Sequence, residues 1–97
     1  MTPEGKVKDK IKALLKRYGA WYFMTTTAGF GKSGVPDIVG IHKGKGFGIE
    51  CKAGKGKTTA LQDIQLRAIE TAGGTALVVN ETEGQEALLR FLRDEQD

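Results

Sequence analysis

DIVGIHKGKGFGIECK, residues 37–52, decides how this chain folds. Residues 37–43 and 47–52 are rich in β-branched and apolar side chains, and each reads as a strand. The Gly44-Lys45-Gly46 connection between them is short enough to make an antiparallel hairpin. Centred on Lys45, such a hairpin sets position 37 opposite position 53. Side chains alternate along a strand, so Glu50 and Lys52 share one face while Cys51 points to the other. Asp37 then lies near the strand end that carries Glu50 and Lys52. Two carboxylates and an amine meet at one end of a sheet.

Upstream, Thr2-Pro3 supplies a helix N-cap and a proline at the first helical position. Val7, Ile11, Leu14, Leu15 and Tyr18 recur at helical spacing, and Gly19 stops the helix. Glu4 stands seven residues before Ile11 and so prolongs the apolar stripe. Residues 20–26 form an aromatic, β-branched strand that sends Trp21, Tyr22 and Phe23 to alternate faces, so at least one is exposed or covered by a partner.

Downstream, residues 53–57 make a flexible basic loop. Thr59 and Gln62 have capping-box spacing. Leu61, Ile64, Ala68, Ile69 and Ala72 carry a helix to Gly73-Gly74, residues 75–79 suit a central strand, and Thr82 with Gln85 caps a last helix through Leu88, Phe91 and Leu92. The tail, residues 94–97, is expected to fray. The order is αβββαβα: one small α/β domain over residues 1–97, a mixed β-sheet flanked by helices, with a parallel crossover joining the third and fourth strands.

Composition sets the class of partner. Of the 97 residues, 39% are apolar and 28% charged, as in a soluble globular protein. No apolar run is long enough for a bilayer, and Met1-Thr2-Pro3-Glu4 has no signal-peptide character. One cysteine excludes an internal disulfide and a cysteine zinc site. A reducing, cytoplasmic location without secretion is expected. The net charge of +3 hides a division: residues 1–57 hold twelve Lys/Arg against four Asp/Glu, and residues 58–97 three Arg against eight. A lysine-rich half suits a polyanionic partner or simple solubility, and its few acids need a reason to be there.

Gly31-Lys32-Ser33 ends like a nucleotide-binding loop, but that loop needs glycine at position 26, which is Thr26, and a helix after it. Gly34-Val35-Pro36 leads into a strand instead. No nucleotide cofactor is therefore expected, and Lys32 belongs to a cationic loop able to touch a phosphodiester backbone. An Asp/Glu/Lys trio suits metal-assisted phosphodiester hydrolysis, because Mg2+ prefers oxygen ligands and needs only one or two protein carboxylates; by spacing alone Glu50 and Lys52 read first as a plain ion pair at a strand end.

Ser33-Gly34-Val35-Pro36-Asp37, then Glu50-Cys51-Lys52, then Leu61-Gln62 ahead of Gly73-Gly74 resembles the VRR-NUC (virus-type replication-repair nuclease) family of the PD-(D/E)xK superfamily. The likeness spans about residues 2–80. It implies a restriction-endonuclease-like core and a Mg2+- or Mn2+-dependent DNA endonuclease. Asp37, Glu50 and the main-chain carbonyl of Cys51 would hold the metal, Lys52 would be the catalytic lysine, and Gln62 would join the active site. For Gln62 the capping box is a complete alternative. Glu4 matches the family's acidic residue on the first helix, and is equally a glutamate placed near a helix N-terminus. Standalone family members look like homodimeric Holliday-junction resolvases, acting in host-cell cytoplasm when viral. Lys32, Lys43, Lys45, Lys55 and Lys57 lie in loops where they would hold backbone phosphates, which favours recognition by DNA shape. A non-catalytic DNA-binding module, or a nuclease for flap, nicked or linear DNA, is the alternative. His42 is read as a surface or packing residue, and Cys51 as a small buried hydrophobe.

Overall fold

The computed structural model describes residues 1–25 and 33–94. Lys32 and residues 95–97 of the expected frayed tail lie outside them. The first helix, α1, runs Pro3–Arg17, with the Thr2 hydroxyl accepting the Gly5 N–H at 2.9 Å and Pro3 opening the first turn. The short strand β1 (Trp21–Met24) follows, then β2 (Ile38–His42), β3 (Lys45–Cys51), α2 (Ala60–Thr71), β4 (Thr75–Val79) and α3 (Gln85–Leu92). The sheet order is β1-β2-β3-β4, with β1–β2 and β2–β3 antiparallel and β3–β4 parallel, so the sheet is mixed as the order of elements predicts.

The core lies on one face of this sheet. Val7, Ile11 and Leu15 of α1 and Leu88 and Leu92 of α3 bury against Ile38, Phe47, Ile49, Cys51 and Val79. Each fully covered aliphatic side chain contributes about 1.5–3 kcal/mol. His42 is part of this packing: its Nε2 donates to the Leu92 carbonyl at 2.8 Å and its ring tilts against Phe91. On the other face α2 covers β3 and β4. Gly48 leaves room there for Ile69, whose Cδ1 would stand 2.6 Å from a Cβ at that position. No helix among the described residues is long and apolar enough to cross a membrane.

Three expectations shift. The hairpin turn is Lys43-Gly44, not Gly44-Lys45-Gly46: His42 pairs with Lys45, and Lys43 and Gly44 take φ of 51° and 79°. Two residues at positive φ give the turn whose twist matches the flanking strands, which offsets the strain at Lys43. Ile38 consequently pairs with Ile49, and Asp37 stands opposite Glu50 rather than position 53. Second, α2 turns Leu66 and Ile69 inward and leaves Leu61 and Ile64 exposed. Third, Thr82 does not cap α3. Gly84 is the N-cap with no side-chain bond, while the Asn80 side chain accepts the Thr82 and Glu83 N–H groups at 2.9 and 2.6 Å.

Candidate active site

Asp37 is buried just before β2, fixed through backbone and side chain alike. Its carbonyl accepts the Thr25 N–H at 2.9 Å, extending the β1–β2 ladder, and its Oδ2 accepts the Cys51 N–H at 3.0 Å. The latter bond ties Asp37 directly to the strand that carries Glu50.

Glu50 is only 3% exposed. Its Oε2 accepts from Gln62 Nε2 at 3.0 Å and lies 3.5 Å from Lys52 Nζ. Its Oε1 is buried with no donor, the sole such side-chain oxygen found among the described residues. Burial pushes the Glu50 carboxyl up to about 7, and the charge of Asp37 adds to the rise while Lys52 opposes it. A buried carboxylate oxygen facing a second carboxylate wants a proton or a cation.

Gln62 answers both of its sequence readings at once. Its carbonyl oxygen accepts the Thr59 N–H at 2.9 Å, closing the capping box, and its amide nitrogen reaches Glu50. An amide has donors to spare after the cap is made, so the two roles do not compete. Gly34 packs against the first turn of α2. Gly34 has φ of 83°, and a Cβ there would stand 2.5 Å from the Leu61 carbonyl carbon and oxygen. Only glycine lets the loop approach the turn that presents Gln62.

Glu4 reaches the cluster through a residue the sequence reading missed. Lys8 Nζ lies 3.7 Å from Glu4 Oε2 and 3.8 Å from Asp37 Oδ1, so an ammonium bridges the two acids. The signal was present: Glu4 and Lys8 stand one helical turn apart beside the Val7–Ile11 stripe. Cys51 is buried in the core, and burial raises its thiol to about 12, so the side chain stays a neutral thiol and packs as a small hydrophobe.

The expected phosphate-holding lysines divide. Lys55 and Lys57 line a groove of about 630 Å³ together with Lys52, Thr58 and Asn80, beside the Asp37–Glu50 end of the sheet. Glu81, also missed, anchors this loop by accepting the Gly54 N–H at 2.9 and 3.2 Å. Lys43 and Lys45 stand at the turn, about 17 Å along the hairpin from the carboxylates at strand rise, and Lys45 pairs with Asp94.

No group of three or more His, Cys, Asp or Glu side chains among the described residues is arranged to hold a metal unaided. Two neighbouring carboxylates, one of them with an orphaned oxygen, fit a hard dication that completes its shell with water and substrate, as Mg2+ does. Fold and site together define a small α/β domain with a four-stranded mixed sheet and an acid–acid–lysine–amide cluster at one sheet end. No protein-family model matches the chain, and no curated protein matches it either.

Proposed function

We propose that the chain is a Mg2+- or Mn2+-dependent DNA endonuclease with a PD-(D/E)xK core of the VRR-NUC type. The observation that carries this reading is Glu50: a carboxylate buried beside Asp37, with one oxygen unpartnered and the other held by Gln62 and Lys52. Lys52 offsets one of the two neighbouring negative charges, and burial with Asp37 still pushes Glu50 up to about 7, so a cation bound between the acids would relieve their repulsion.

Asp37 and Glu50 would hold the ion, and the resemblance adds the Cys51 carbonyl as a third ligand. When bound, the dication supplies Lewis acidity, drawing charge from the phosphate and favouring ionisation of water. Gln62 fixes Glu50 Oε2, so the carboxylate meets its ligand in one orientation. Lys52 Nζ, beside Glu50, orients the attacking water and stabilises the charge that develops on the phosphate oxygens. Water adds to phosphorus in line as it gives up a proton to solvent, the P–O3′ bond breaks, and the departing oxygen takes a proton from solvent, leaving a 5′-phosphate and a 3′-hydroxyl. Lys55 and Lys57 line the adjacent groove and hold backbone phosphates without reading bases.

Branched DNA, and the four-way junction first, is the substrate this reading favours, with two copies of the chain supplying two sites. Trp21 and Phe23 are 64% and 49% exposed on the open side of the sheet, next to Ile41, which offers an apolar face for the second copy. The test is cleavage of four-way, flap, nicked and linear DNA in Mg2+ or EDTA, with sedimentation of the same preparation. The expected result is Mg2+-dependent cutting of the junction by a dimer, abolished in Asp37→Asn. DNA binding without cutting in either buffer would leave a non-catalytic binding module, and cutting of linear DNA alone would remove the junction assignment.

A further inference from the structure

Lys8 is charged yet largely covered, with 22% of its side chain exposed and Asp37 at 11%. Its ammonium faces Asp37 Oδ1 at 3.8 Å, while Oδ2 of the same carboxylate is taken by the Cys51 N–H. In the metal-site reading, on which this inference rests, Asp37 must also accept a dication. An ammonium and a dication drawn to one carboxylate repel each other, and Glu4 and Glu50, each already beside a lysine, relieve that repulsion only in part.

We propose that Lys8 is the resident counter-ion of Asp37: it competes with the divalent cation for that carboxylate and yields it when a DNA phosphate draws the ammonium away. Glu4, one helical turn back and 3.7 Å from the same Nζ, keeps the ammonium at the site after it leaves Asp37. Lys8 therefore couples two ligands. A phosphate that occupies the ammonium tightens metal binding at Asp37, and by linkage the metal tightens DNA binding equally. Toward the metal, Lys8 acts only through Asp37.

The experiment is calorimetric titration of Mn2+ into the DNA-free protein, for wild type, Lys8→Met, Lys8→Gln, Lys8→Arg and Lys10→Met. Lys10 is an exposed lysine of the same helix and controls for net charge. With the competitor gone, Lys8→Met and Lys8→Gln bind Mn2+ about tenfold tighter. Lys8→Arg keeps the charge and Lys10→Met removes a solvated one, so both stay within about twofold of wild type. Phosphorothioate junction DNA, cut slowly, tightens Mn2+ binding more in wild type than in Lys8→Met. If wild type binds Mn2+ but neither neutral variant binds it tighter than Lys10→Met does, the counter-ion role of Lys8 is overturned and the metal site stands. If neither wild type nor the neutral Lys8 variants bind Mn2+, the metal site itself is overturned.

Discussion

Glu50 is pulled in two directions: burial and Asp37 favour its protonated form, whereas Lys52 and Gln62 hold it as an acceptor. With its folded-state value raised from 4.5 to about 7, the metal-free fold binds this proton more tightly than the unfolded chain does. The stability it contributes is complete below about pH 4.5 and is lost as pH rises through about 7, by up to about 3 kcal/mol. Thermal denaturation in EDTA should follow that fall, and Glu50→Gln should flatten it. A wild-type profile already flat from pH 4.5 to 8 would contradict the proposed strain at Glu50. Strand alternation brings Asp37, Glu50 and Lys52 to one sheet end, whereas their chemistry and the place of Gln62 beside them rest on the resemblance, since spacing alone makes Gln62 a helix cap. Lys8 was not legible, because a lysine among six basic residues on one helix acquires meaning only when the fold sets one of them against Asp37.

At the scale of elements, the cluster depends on how closely residues 33–36 approach α2. Gly34→Ala introduces a side chain at positive φ and against the Leu61 backbone, so a stability loss of more than about 1 kcal/mol is expected in urea denaturation. The displaced first turn should also loosen the Gln62–Glu50 bond and lower activity beyond the loss of folded protein. Equal stability with full activity would show that the loop does not position the helix. The Thr59–Gln62 capping box and the helix and strand order were readable because their signals are local, whereas the same spacing at Thr82 and Gln85 misled, because Asn80 takes the N–H groups there. The hairpin turn was not readable, since Lys43-Gly44 and Gly44-Lys45-Gly46 both contain a glycine able to turn. Only the pairing of Ile38 with Ile49 separates them. That shift of register places Asp37 opposite Glu50, a tighter juxtaposition than the sequence suggested. The inward face of α2 was misread for a related reason. Leu61 and Ile64 are more apolar than Gln62, but Gln62, Leu66 and Ile69 are spaced to meet Glu50 and Gly48.

For the whole molecule, α1 and α3 seal one face of the sheet and α2 covers half of the other, leaving β1 and β2 with apolar side chains in solvent. The cationic half of the sequence does not map onto one cationic face: Lys52, Lys55 and Lys57 gather by the carboxylates, whereas Lys43 and Lys45 lie at the opposite end of the hairpin. Charge counted along a chain reports what sort of partner it suits, and only the fold says where that partner sits. The proposed enzyme accordingly has its acids, its lysine and its basic groove at one end, and an apolar flank free for a second copy. The central claim is that Asp37 and Glu50 together bind a divalent cation, and Mn2+ titration of wild type against Asp37→Asn tests it most directly. The asparagine still accepts the Cys51 N–H, so the fold is expected to survive, with an unchanged or higher melting temperature, while saturable Mn2+ binding is lost. Binding of Mn2+ by the folded Asp37→Asn protein as tightly as by wild type would contradict the account.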